Sequence, residues 1–145
     1  MPLFIWKRSY EIGIVEVDRQ HRQLVGLINE LYEAMKVGHG YELVSRLIDQ
    51  LLAYAAEHLD DEEGFMRASS YPYLEAHVRE HAEFRDRLAE MERGRCEGVM
   101  LPCTEMLDFL CGWLRVHILE SDKDFGCFIK RQNLAQSGRP GTTVA

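Results

Sequence analysis

Along this chain apolar residues recur at spacings of three and four, and the breaks between such runs fall at Gly, Ser and Pro, so the pattern predicts helices and no strands. A first helix is expected to start near Asp18, a suitable N-cap, and to stop at Gly38 and Gly40. Its inner stripe is His21, Leu24, Ile28, Leu31 and Met35. A second runs over about 41–68 with the stripe Val44, Leu47, Leu51, Ala55, His58, Glu62 and Phe65, and ends at Ser69 and Ser70. Pro72 opens a third, with His77, His81, Phe84, Leu88 and Met91 inward and Gly94 and Gly98 closing it. Pro102 precedes a fourth, which carries Met106, Leu110, Trp113 and His117. Four helices of roughly 20 residues with short connections predict an all-α, up-down-up-down four-helix bundle, preceded by residues 1–17 as an extended N-terminal arm. One domain is expected over residues 1–135, with 136–145, rich in Gly, Pro and small polar residues, as a disordered tail.

The stripes contain an anomaly that sets the chemistry. Of the 6 histidines, all but His39 stand where Leu or Ile would otherwise sit. A buried imidazole must be hydrogen-bonded or ligated, because desolvating it alone is costly. One such residue is ordinarily satisfied by a neighbouring hydroxyl or carbonyl. Several together, drawn from four helices and accompanied by two carboxylates, point to metal. His58 and Glu62 lie four residues apart, as do His77 and His81, so each pair projects from one helix face. In an antiparallel bundle the end of the second helix lies beside the start of the third, the start of the first and the end of the fourth. His21 and His117 occupy those last two places.

Asp122 follows His117 by five positions instead of four. On a regular helix that step turns through about 500° and leaves the two side chains roughly 140° apart. The spacing therefore predicts a π-type turn between them, since one inserted residue lets a five-residue step act as a four-residue step. Imidazole and carboxylate without thiolate suit iron, manganese or zinc, and carboxylates able to bridge favour a dinuclear site. Two octahedral ions offer about 12 positions. Five imidazoles, two bridging carboxylates and a bridging oxide or hydroxide fill all but about one of them.

Composition removes other classes. With 17 Lys and Arg against 24 Asp and Glu, a formal charge of −7 and no basic run, nucleic acid and anionic membrane are excluded as main partners. No segment approaches the roughly 20 apolar residues of a membrane span, and the opening MPLFIWKRS is too short for a signal peptide, so a cytoplasmic protein is expected. Cys96, Cys103, Cys111 and Cys127 form no CxxC pair and are expected as reduced thiols. The acidic residues Asp60, Asp61 and Glu63 beside Glu62 are expected on a solvated helix face.

The run GIVEVDRQHRQL around His21, the HxxxE of His58 and Glu62, the HxxxH of His77 and His81, and the HxxxxD of His117 and Asp122 together resemble the hemerythrins. The early Trp6 and the Trp113-Leu114 pair look like the bacterial branch of that family. The resemblance implies two iron ions per chain, bridged by Glu62, Asp122 and an oxide or hydroxide. His77, His81 and His117 would saturate one iron, and His21 and His58 would leave a vacancy on the other, where dioxygen binds and from which it leaves unchanged. Candidates for the wall of that vacancy are Leu24, Leu59, Trp113, Leu114, Ile118 and Phe125. Oxygen transport, storage or delivery is the implied function, without catalysis. A sensor acting through a separate protein partner, and an enzyme acting on nitric oxide or peroxide, stay open. The apolar wall offers no proton donor of the kind a peroxide-consuming enzyme would use. A ferritin-like oxidase would need ExxH motifs, which this sequence lacks, and an HD-type phosphohydrolase would need Asp where Leu59 stands.

Overall fold

A computed structural model describes residues 2–99 and 101–137 of the chain. Helix α1 is Val15–Lys36. Helix α2 covers 40–68 and consists of Gly40–Tyr54 and Asp60–Ala68 on either side of a π-helical stretch, Ala55–Leu59. Helix α3 is Leu74–Cys96. Helix α4 covers 103–137, with a longer π-helical stretch, Trp113–Asp122, between Cys103–Gly112 and Lys123–Ser137. No strand occurs among the described residues. The molecule is the expected all-α four-helix bundle. Most of the expected tail, residues 138–145, lies outside the described residues.

Three helices end in the same way. Gly38 (φ 79°), Ser70 (φ 54°) and Gly98 (φ 77°) turn left-handed just past α1, α2 and α3. In each case the next amide reaches back five residues: His39 N–H to the Ala34 carbonyl (2.8 Å), Tyr71 to Met66 (3.0 Å) and Val99 to Gly94 (2.7 Å). This closure satisfies carbonyls that the helix end would otherwise leave unpaired.

The start of α1 departs from expectation. The helix begins at Val15, and Asp18 is not its N-cap. Its buried carboxylate instead turns back onto the arm, accepting from the Ile12 N–H (2.8 Å) and the Gly13 N–H (3.1 Å), where Gly13 takes φ 93° to reverse the chain. The arm is fixed elsewhere too. The Asn29 side chain makes two 2.8 Å hydrogen bonds to the backbone of Phe4, and Lys123 Nζ donates to the Glu11 carbonyl at 2.9 Å. Arg8–Tyr10 makes a single 3₁₀ turn within it.

Two apolar clusters form the interior. The larger fills most of the bundle and includes Leu24, Leu51, Leu59, Phe84, Leu114 and Ile118. The smaller, at one end, joins Ile12 of the arm to Val17, Met66, Tyr71 and Phe125. Along α2 the buried face runs through Met66, not the expected Phe65, which is 38% exposed. That recentring also brings Glu63 inward, at 6% exposure, in contrast to the solvated position expected for it.

Candidate metal centre

On every helix the polar residues of interest lie where the chain passes from one apolar cluster to the other. His21 stands between Val17 and Leu24 on α1, His58 and Glu62 between Ala55 and Met66 on α2, His77 and His81 between Tyr71 and Phe84 on or just before α3, and His117 and Asp122 between Leu114 and Phe125 on α4. The bundle thus holds one polar layer between two dry ones. All seven residues are buried, none more than 3% exposed. The expected π turn is present, since Trp113–Asp122 is π-helical and so lets Asp122 face the same way as His117. The π stretch Ala55–Leu59 ahead of Glu62 was not foreseen, because HxxxE spacing fits a regular helix without it.

The seven side chains form two groups able to hold a metal ion: Glu62, His77, His81, His117 and Asp122, and His21, His58, Glu62 and Asp122. Each carboxylate divides its two oxygens between the groups. Glu62 Oε2 and Asp122 Oδ2 face His21 and His58, with His58 Nε2 3.3 Å from Glu62 and His21 Nε2 2.9 Å from Asp122. Glu62 Oε1 and Asp122 Oδ1 face the other three. His77 Nε2 lies 2.6 Å and His117 Nε2 3.1 Å from Asp122, and His81 Nε2 lies 3.1 Å from Glu62.

The histidines are aimed from behind. His81 Nδ1 meets Glu63 Oε2 at 2.7 Å, His117 Nδ1 meets Glu80 Oε2 at 2.7 Å, and His58 Nδ1 meets Gln20 Oε1 at 2.6 Å. A carboxylate can only accept, so Nδ1 carries the proton in His81 and His117, and the lone pair of the neutral ring is on Nε2. Gln20 is held in the matching sense, because its Nε2 donates to Asp61 Oδ2 at 3.0 Å and leaves Oε1 for His58. His81 Nε2 and His117 Nε2 then face each other at 3.1 Å with two lone pairs. His21 Nε2, His58 Nε2, Glu62 Oε2 and Asp122 Oδ2 are buried without a hydrogen-bond partner. Buried acceptors facing buried acceptors require a cation, so the donor set fits a metal.

Protonation of the metal-free site follows the same logic. Burial pushes the His21 and His77 imidazoles down, but the neighbouring carboxylates of Asp122 and Glu62 outweigh it and raise both to about 9. His117 is likewise raised, against burial, by Asp122, Glu62 and Glu80. Burial pushes Glu62 up, yet its histidine partners hold it well below the usual carboxylate range. Burial and the charge of Glu62 raise Asp122, while His117 and His21 bring it down to about 2. Protons stand in for the missing positive charge.

Sequence reasoning singled out the seven residues that converge, but missed Gln20, Glu63 and Glu80. It also missed Tyr54, which sits one turn before His58 on α2 and stacks on its ring at 4.8 Å. The wall candidates divide. Leu24, Leu59, Leu114 and Ile118 are buried in the larger cluster. Trp113 stacks on His117 at 3.8 Å, and Phe125 packs in the smaller cluster against Tyr71.

A four-helix bundle with a buried layer of histidines and shared carboxylates defines a cation-binding bundle protein. Over residues 12–129 the chain matches the Hemerythrin family, described as the hemerythrin HHE cation binding domain, and it belongs to that family. It is 30% identical over 131 residues to the bacteriohemerythrin of Clostridium acetobutylicum, covering 85% of this chain and 98% of that one. Identity to the bacteriohemerythrin of Stenotrophomonas maltophilia is 32% over 130 residues, with 90% and 84% covered. A myohemerythrin of Theromyzon tessulatum is 26% identical over 118 residues, with 81% and 86% covered. No helix among the described residues is long and apolar enough to cross a membrane.

Proposed function

We propose that this protein binds dioxygen reversibly at a pair of iron ions, in the service of oxygen transport, storage or delivery. The observation that carries the reading is the division of Glu62 and Asp122 between two histidine groups, which suits two ions sharing both carboxylates. His77, His81 and His117 would hold one iron and His21 and His58 the other, with an oxide or hydroxide bridge as part of the group. When bound, the iron pair supplies electrons that dioxygen can take up and return, a chemistry no side chain here offers. The second group has one imidazole fewer than the first, which leaves room for an exogenous ligand on that side.

The chain's own contribution is orientation and exclusion. Gln20, Glu63 and Glu80 engage Nδ1 of their histidines and so keep Nε2 pointed inward. Leu24, Leu59, Leu114 and Ile118, each at most 1% exposed, keep water from the same layer. Free thiols at all four cysteines, two of them exposed, agree with a cytoplasmic setting. The test is a visible spectrum of the iron-loaded protein through cycles of oxygenation and deoxygenation, paired with metal analysis. Two irons per chain and colour that appears and bleaches are expected. One metal per chain, zinc taken in preference to iron, or colour that never reverses would sink the reading.

A further inference from the structure

The core-facing side of the site carries two polar atoms that the fold leaves unpaired. Tyr54 is 4% exposed, its ring planes lie 16° from those of His58, and Phe84 meets it edge-on at 6.2 Å. Its hydroxyl has no hydrogen-bond partner. Trp113, one turn before His117, stacks on that histidine with planes 11° apart, and its indole N–H is buried and unpaired as well. The indole N–H approaches the phenol oxygen without closing a bond to it. A tyrosine phenol is un-ionised at neutral pH and so is an O–H donor.

Stacking on His58 and packing on Phe84 require only a ring, and phenylalanine would supply both without burying an unsatisfied hydroxyl. Leaving two donors unpaired beside one polar layer is unfavourable unless something else fills their bonds. We propose that the Tyr54 hydroxyl, with the Trp113 N–H beside it, donates a hydrogen bond to a small lone-pair ligand, dioxygen or an anion the size of azide, seated at the His21 and His58 half of the site. The assignment rests on the iron-pair reading above. It makes Tyr54 a specificity-determining residue, because a donor aimed at the ligand favours polarised and anionic ligands over neutral apolar ones. It also gives the site a polar contact within an otherwise apolar wall.

The probe is azide, titrated into the oxidised, iron-loaded protein and followed by visible absorption, with the azide stretching band recorded in H2O and in D2O. Tyr54→Phe is expected to raise the azide Kd by about tenfold or more while the iron content holds at its unaltered value. A D2O shift of the azide band is expected in the unaltered protein and is absent in Tyr54→Phe. Trp113→Phe is expected to weaken azide to a smaller degree. If Tyr54→Phe fails to retain iron, the unaltered protein decides alone, since an azide band indifferent to D2O overturns the proposal. Equal Kd values with and without the hydroxyl overturn it too. A chain that takes up no iron ends both readings, whereas one that loads two irons and binds azide regardless of residue 54 ends only this one.

Discussion

Three of the five inward histidines owe their aim to side chains that never face the centre. Glu63, at 2.7 Å from His81 Nδ1, is the most buried of these carboxylates, and Glu63→Ala is expected to weaken iron binding about 10- to 100-fold in a chelator competition. Glu75→Ala, on the exposed side of α3, should leave it unchanged. Protonation makes a second prediction. In the metal-free protein His21 and His77 are raised from 6.5 to about 9, so their contribution to stability is complete below about pH 6.5 and lost as the pH rises to about 9. Asp122 is lowered from 3.8 to about 2, so its contribution is complete above about pH 4 and lost as the pH falls to about 2. Metal requires neutral imidazole, so iron-loaded protein should instead gain stability through the histidine range. Thermal melts at about pH 6 and about pH 9 should therefore move in opposite directions for the two forms. Parallel shifts would contradict this account. Six of the seven converging residues were legible in the sequence because histidine and carboxylate on an apolar stripe are conspicuous, and Asp122 was reached through the HxxxxD motif of the family resemblance. Their outer partners were not. Glu63 sits at the margin of the inward face, where periodicity does not separate buried from solvated, and Tyr54 resembles any core aromatic.

At the scale of elements, the helices came through by periodicity, and their ends by Gly, Ser and Pro. Asp18 shows where local signals stop. An acidic residue ahead of an apolar run is an ordinary N-cap, and only the folded arm reveals that this one binds Ile12 and Gly13 instead. The π turn before Asp122 was legible because five-residue spacing cannot be reconciled with a regular helix, whereas the one before Glu62 left no mark on the spacing. Docking of the arm depends on a close approach that no propensity reports. A Cβ on Gly126 would meet Ile12 Cβ at 2.7 Å and its Cα and carbonyl oxygen at 2.9 Å. Gly126→Ala should therefore push the arm off α4 and cost about 1–3 kcal/mol in denaturant unfolding. An unchanged midpoint would mean that the arm contributes little to stability.

For the molecule as a whole, antiparallel packing let the gathering of the ligands near one end be reasoned from the order of the stripes, whereas the second dry cluster beyond them, built with Ile12 of the arm, was not foreseen. The polar layer is guarded on its inner side by the larger cluster, so Leu114→Ser, at a position 1% exposed, should shorten the life of the oxygenated form while iron content stays near the parent value. Stopped-flow mixing followed by deoxygenation measures this, and an equal lifetime would separate protection from the apolar wall. The longer π stretch has a consequence for chain length. In an ordinary core helix, losing one residue rotates everything beyond it by about 100° and scrambles the buried face. Between His117 and Asp122 the chain already holds one residue more than a regular helix would need, so removing the exposed Glu120 should let the stretch relax into α-helix while 123–137 keeps its orientation. This bundle should thus accept a single-codon deletion in the middle of its most functional helix, with melting close to the parent's, yet unfold when Glu83 is deleted from α3.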